Sequence, residues 1–389
     1  MFKKFVAFVF IFLFARAGFC LEMNAQALAW ADASVKAIYG LDFDTAEYYI
    51  NKLTEQNPDF PIALFGKTMI EWSRFEYEYE KSSPEQAKKF EATLASAIEG
   101  IENWLKNNQP DAYAYLALGG VYGIKGRFEL ANRSYISAYF TGKKGLRYMN
   151  KAFKLDPQMY DALLGEGVYQ YYAGTLPAVV KILAKLVISG NADKGIEYLN
   201  LVKDKGRFSA DSAKLLLVEI AIESDKYHNP PLAREYISEI IAKYPKNPLY
   251  RFVGIIAAYE DGDYDTVIRE AKDFLSKIGK EKFYNEIYIA RAYAAIAAAQ
   301  MAQGDFEAAR ATLEAAQIAT ANQEPSRWQL WNKLRLSQVY DVLGMREKAL
   351  EGYREVIKQK QNWGMDDVAR QYVRKPFTAD TPLGRMSPP

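Results

Sequence analysis

Ala46, Ile50, Leu53 and Pro58 are separated by four, three and five residues, and the same set of intervals returns at Gly145, Met149, Ala152, Pro157 and at Ala233, Ile237, Ile240, Pro245. Offsets of four and seven place a small residue and two apolar ones on a single stripe of an α-helix. The proline then ends the unit, because its ring clashes with a helix continuing through it. A chain that repeats this pattern builds many equivalent helices, each needing a neighbour to cover its stripe.

A preceding helix is visible as well. Trp30 lies sixteen residues before Ala46, and Leu118-Gly119 is followed by Tyr122. Together these residues resemble the tetratricopeptide repeat. That resemblance implies an all-α fold: a right-handed solenoid of six to eight antiparallel helix pairs, here covering residues 22–376. Glycines mark the expected turns within pairs, with Gly126 before Ala131, Gly190 before Gly195, Gly262 before Val267, Gly304 before Ala309 and Gly344 before Ala349, always by five. Gly262-Asp263-Tyr264 and Gly304-Asp305-Phe306 are the clearest, since glycine adopts the left-handed cap without a Cβ penalty. Glycine or alanine is expected at the small position because two helix backbones cross there.

The spacing departs from the 34-residue period of that family. Gly262 to Gly304 is 42 residues and Gly304 to Gly344 is 40, which predicts longer helices in that stretch. Between Ala131 and Gly145 the second-helix pattern occurs twice, predicting one long or doubled helix. The unit from Phe60 to Pro110 fits only loosely. Between Tyr172 and Gly190, the residues Val179, Val180, Ile182, Leu183, Leu186 and Val187 form an apolar face against Lys181 and Lys185, predicting an inserted amphipathic helix near 177–188.

Lys3 and Lys4 precede an unbroken apolar run from Phe5 to Phe14 and then Ala15-Arg16-Ala17. This order is that of a secretory signal peptide over residues 1–17, with cleavage between 17 and 21. The run spans only about half of a bilayer core, and no second hydrophobic span follows. The expected location is periplasmic or secreted. The alternative is an envelope lipoprotein carried on Cys20, against which Phe19 and Ala17 stand where that signal class has a small residue and leucine. Cys20 is the only cysteine, so no intramolecular disulfide forms. Removing residues 1–17 takes away Lys3, Lys4 and Arg16 and no acid, turning a formal +2 into −1. A near-neutral body lacks the basic footprint of a nucleic-acid binder. Half the residues are hydrophobic, which excludes a disordered body; only 377–389 reads as a flexible tail.

Catalytic groups are scarce. His228, the single histidine, lies in the turn Tyr227-His228-Asn229-Pro230-Pro231. One histidine with no thiol in the body rules out a Cys-His pair and a Cys/His zinc site. Gly165-Glu166-Gly167 and Gly119-Gly120 lie inside helical pattern and not between a strand and a helix, where a phosphate loop belongs. Glu76, Glu78 and Glu80 diverge around a helix that leads into Ser82-Ser83-Pro84, which reads as a solvated helix end. No catalytic residue, cofactor or metal ligand is expected.

The resemblance places peptide ligands along the concave groove lined by the first helix of each pair. In that register Tyr113, Leu116, Gly120 and Gly123 face the groove, followed by Asp161, Leu164, Val168 and Tyr171. The carboxylate clamp of some family members is absent, because Leu116 and Gly120, or Leu164 and Val168, stand where they carry lysine and asparagine. Tyr169, Tyr171 and Tyr172 form the densest aromatic group, readable as core or as a stacking surface. Tyr113, Asp161, Tyr171 and Tyr172 are the groove-binding candidates. The expected function is a non-enzymatic scaffold for protein or peptide partners of the bacterial envelope. The alternatives are a small-molecule-binding protein associated with a solute transporter and a glycan-acting enzyme using carboxylates.

Overall fold

The computed structural model describes residues 23–56, 58–78, 84–132, 134–175, 190–361 and 363–388. The signal segment 1–17, Cys20, Glu80 and the inserted helix expected near 177–188 lie outside them. Among the described residues there are seventeen α-helices, two 3₁₀ turns and no strand.

Sixteen of the helices form eight pairs: α1 (Ala25–Tyr39) with α2 (Phe43–Gln56), α3 (Pro61–Glu78) with α4 (Pro84–Asn107), α5 (Ala112–Ala131) with α6 (Tyr135–Leu155), and α7 (Leu163–Thr175) with α8 (Ala192–Lys205). Then follow α9 (Ala210–Glu223) with α10 (Pro230–Lys243), α11 (Pro248–Glu260) with α12 (Tyr264–Lys277), α13 (Ile289–Ala302) with α14 (Phe306–Ala319), and α15 (Arg327–Val342) with α16 (Arg346–Lys358). α17 (Met365–Arg374) closes the end. Each second helix packs on its own partner and on the first helix of the next pair, while α1 touches α3, α3 touches α5, α9 touches α11 and α13 touches α15. The first helices therefore line the inner face of an all-α solenoid of antiparallel helix pairs.

The small–apolar–apolar stripe recurs in every second helix. Besides the three sets that define it, Ala97, Ile101 and Trp104 in α4 carry it, as do Gly195, Leu199 and Val202 in α8, Val267, Ala271 and Phe274 in α12, Ala309, Leu313 and Ala316 in α14, and Ala349, Tyr353 and Val356 in α16. All are buried. The Phe60–Pro110 unit looked loose because Pro110 stands thirteen residues after Ala97, one more than in the defining sets. At Gly145 a Cβ would lie 3.0 Å from the Gly119 carbonyl oxygen, and at Gly195 it would lie 2.5 Å from the Tyr171 nitrogen, so these helix crossings are backbone on backbone.

Two expectations about length are corrected. α12 and α13 have 14 residues each; the surplus between Gly262 and Gly304 sits in the connection 278–288, which ends in a 3₁₀ turn, Glu286–Tyr288. Gly126 is not in a turn, since α5 continues through it to Ala131 and α6 is a single helix of 21 residues. A glycine inside a helix costs only about 1 kcal/mol, which the packing of so long a pair overrides. The other turns follow the sequence: Gly262, Gly304 and Gly344 have φ of 76°, 78° and 74°, and Asp263 and Asp305 cap the helices that follow by accepting from Thr266 and Ala308.

The solenoid coils tightly enough for its beginning to touch its middle. One apolar cluster runs through Ala27, Phe60, Phe128, Phe252, Tyr288 and Trp331. Tyr39, at the end of α1, stacks on Tyr244 with ring centroids 5.4 Å apart, and its carbonyl accepts from the buried Asn247 side chain at 2.9 Å. Its hydroxyl meets Ser212 at the start of α9. Further along, the Tyr77 hydroxyl donates to the Phe283 carbonyl and the Tyr288 hydroxyl returns to the Tyr77 carbonyl at 3.2 Å. The inner face of the first two pairs is thus laid against the leading ends of α9, α11 and α13.

A self-occupied inner groove

The trailing ends of α9 and α11 and the middle of α15 hold a different occupant. After α17 the chain turns back, with the Phe377 N–H donating to the fully buried Asp341 carboxylate at 2.9 Å. Arg346 braces this turn by pairing with Asp341 at 2.7 Å and donating to the Tyr372 and Val373 carbonyls at the end of α17. Residues 377–389 were expected to be a flexible tail; within the described part of it the chain is non-helical, and its stretch 383–386 is bonded to the first helices. Sequence composition could not reveal this, because proline, glycine and polar residues suit a bound extended strand as well as a free one.

Side chains of two first helices, α15 and α11, grip the backbone of this segment, and the backbone of a third, α9, receives one of the segment's side chains. From α15, Arg335 donates to the carbonyls of Leu383 at 2.7 Å and Arg385 at 3.0 Å, and the Trp331 indole N–H donates to the Met386 carbonyl at 2.9 Å. From α11, the Tyr259 hydroxyl lies 3.5 Å from the Gly384 carbonyl, and the Met386 N–H acts on the neighbouring Glu260 carboxyl to favour its charged form. From α9, the Glu223 carbonyl accepts from the Arg385 guanidinium, which also lies 3.8 Å from Asp225. The Met386 side chain is fully buried, in the cluster that contains Tyr259, Ala294, Ala298 and Trp331.

The electrostatics of the groove are those of charges removed from water. Arg335 is buried, lies over the Trp331 ring at 4.4 Å, and is pushed by desolvation down to about 10, so it stays charged at neutral pH. Burial raises the Glu260 carboxyl above its usual range, while Arg385 and His228 pull it back. Two polar atoms of this wall have no partner among the described residues: Arg335 Nε and Glu260 Oε1.

The residues chosen from sequence are distributed elsewhere. Asp161 is buried and accepts three backbone N–H groups, from Arg207 at 3.0 Å, Phe208 at 2.8 Å and Ser209 at 2.7 Å, so its carboxylate ties the loop before α9 in place and is corrected to a structural role. Tyr171 is also core, 7% exposed among Leu163, Leu199 and Leu217, and it is an edge-on neighbour of Tyr172 at 5.1 Å. Tyr172 is 44% exposed and donates to Glu219 at 2.8 Å. Tyr113 is half-buried against the inner cluster, where burial raises its phenol. Leu116 is buried, Gly120 is covered by the Phe65 ring, and Gly123 alone of its set is open to solvent. Arg335, Trp331 and Glu260 were missed. An arginine within the spacing Trp328-Trp331-Arg335 is visible in the sequence, but neither its burial nor the backbone it binds is.

Among the described residues no group of three or more His, Cys, Asp or Glu side chains is placed to hold a metal ion, and no helix is long and apolar enough to cross a membrane. No protein-family model matches the sequence, and no curated protein is detectably similar to it. Solved structures show similar helical arrays. The chain is 16% identical to one from the APC/C hetero-tetramer Cut9–Hcn1, covering 85% of this chain but only 59% of that one, with a TM-score of 0.44. A Rap protein complexed with competence and sporulation factor is 13% identical over 90% of this chain and 81% of its own, TM-score 0.45, and yeast Tom70 is 13% identical over 91% and 89%, TM-score 0.40.

Proposed function

We propose that this chain is a non-enzymatic scaffold of the bacterial envelope that binds protein or peptide partners as extended segments on the inner face of its second half. The observation that carries the reading is the grip on residues 383–386: three backbone carbonyls are bonded by side chains of the groove wall, which is how a peptide can be held without regard to most of its sequence. Large amphipathic side chains and a buried arginine supply that grip, the residue types on which interfaces concentrate their binding energy. The envelope assignment is supported by the order Lys3-Lys4, Phe5–Phe14, Ala15-Arg16-Ala17.

Native mass spectrometry of the protein purified from its own cells tests both parts. A retained peptide or protein that protects the groove wall from hydrogen exchange supports the scaffold. A stoichiometric small solute, or cleavage of cell-wall glycan by the purified protein, overturns it in favour of a receptor or an enzyme. An intact mass that begins between residues 18 and 21 supports export, and one that begins at Met1 overturns it.

A further inference from the structure

The geometry points to a groove that selects an extended peptide carrying an arginine followed by a long unbranched apolar residue, and that is occupied in cis by the chain's own Arg385-Met386, so that a partner binds by displacing the C-terminal segment. This inference rests on the scaffold reading and deepens it.

Three observations carry it. First, the two side chains of the segment that meet the groove do so in different ways. Arg385 is directed at the end of α9, where it donates to the Glu223 carbonyl beside Asp225, and its charge lowers the carboxyls of Glu223 and Glu260 against their burial. Met386 is fully buried in the apolar cluster that also holds Tyr259 and Trp331. A cation and a flexible apolar chain in adjacent positions is a two-residue code, and methionine adapts to an irregular floor better than a branched residue does.

Second, the segment satisfies the groove incompletely. Arg335 Nε and Glu260 Oε1 are buried and unpaired, one donor and one acceptor on the wall that grips the backbone. A buried polar group without a partner costs about 1–3 kcal/mol. A competing peptide that offers an acceptor to Arg335 and a donor to Glu260 therefore binds more tightly than the resident segment.

Third, the segment is anchored independently of the code. Phe377 is buried and its N–H is fixed by Asp341, whereas Thr378, Ala379 and Asp380 are exposed. Residues 381–388 can leave the groove without unseating Phe377 or α17. Tethering so close to the groove gives the resident segment a high effective concentration, and the apparent affinity for a free peptide falls by the fraction of time the groove is self-occupied.

The test uses the full-length chain and a fluorescent dodecapeptide with the sequence of residues 378–389. Arg385→Glu with Met386→Ser in the protein weakens the resident segment. Fluorescence anisotropy is expected to show the peptide binding this variant about tenfold or more tightly than the unaltered protein, and a peptide bearing the same two changes binding neither. Equal affinity for both proteins, or no binding by a variant that still melts cooperatively, overturns the inference. A second measurement needs no weakened segment: a spin label on Asp380→Cys, with Cys20→Ala, is expected to gain mobility when excess unlabelled peptide is added to the otherwise unaltered chain. An unchanged spectrum at saturating peptide overturns the displacement. If partners found by native mass spectrometry are retained equally by the unaltered and weakened proteins, the scaffold reading stands and only this inference fails.

Discussion

Arg207 and Asp32 form a bidentate ion pair across 175 residues of chain, with Nη2 2.7 Å from Oδ2 and Nε 3.0 Å from Oδ1. The pair bridges α1 to the loop before α9. Both side chains are close to half exposed, at 47% and 41%, so water competes with the pair and salt screens it. Arg207→Ala is therefore expected to lower stability by no more than about 1 kcal/mol, with the loss shrinking further at high salt. Urea titrations at low and high ionic strength measure this. A loss of several kcal/mol would mean that the charges, and not the aromatic and apolar contacts, close the coil.

Glycines in otherwise similar helices should respond oppositely to alanine. At Gly195 the added Cβ meets the Tyr171 nitrogen at 2.5 Å and the Gly167 carbonyl at 2.8 Å, both backbone atoms that cannot swing aside. Gly195→Ala is expected to destabilise by about 1–3 kcal/mol. Gly142, inside α6, has open space around the Cβ position, so Gly142→Ala should stabilise by about 0.5–1 kcal/mol. Thermal melts of the two variants decide whether the small positions of the stripe are helix crossings.

Neighbouring tyrosines in α7 make a similar contrast. Tyr171→Ala empties a buried site and should cost about 3–5 kcal/mol. Tyr172→Phe removes a single hydroxyl bond to Glu219 at an exposed position and should cost about 1 kcal/mol or less. If the two variants melt alike, the division of this aromatic group into core and surface is wrong.

These contrasts show where the sequence is readable. Ala46, Ile50 and Leu53 reveal a second helix because the stripe, the turn and the proline all lie within one unit, and local pattern reports local structure. Gly262 and Gly304 reveal turns for the same reason. Tyr39 on Tyr244 and Trp331 on Met386 join residues far apart in the chain, and nothing in either neighbourhood specifies the other. The curvature that brings them together is a small rotation accumulated over several pairs. Asp161 was hidden from the sequence in the same way: it lies 46 to 48 residues before Arg207, Phe208 and Ser209, whose N–H groups its carboxylate accepts, and no local pattern links the two.

Alkaline pH tests that coiling, because it has buried phenols. Desolvation pushes Tyr39 up to about 12 and Tyr259, 6% exposed, also up to about 12, from the ordinary value near 10. The sign follows from linkage: where the folded pKa is the higher one, the native state holds its proton after the unfolded chain has released it, and stability falls as pH rises. The contribution is complete below pH ~10 and lost progressively toward pH ~12, amounting to about 2–3 kcal/mol for each phenol over that window. Tyr259→Phe keeps the ring in the cluster and removes the titrating group. Its stability is expected to fall less steeply than that of the unaltered protein between pH ~10 and ~12, with matching values near neutrality apart from the small cost of the lost hydroxyl. Urea midpoints across that range make the comparison. Parallel curves for the two proteins would show that Tyr259 titrates in the native state as freely as in water, which is incompatible with a covered inner face.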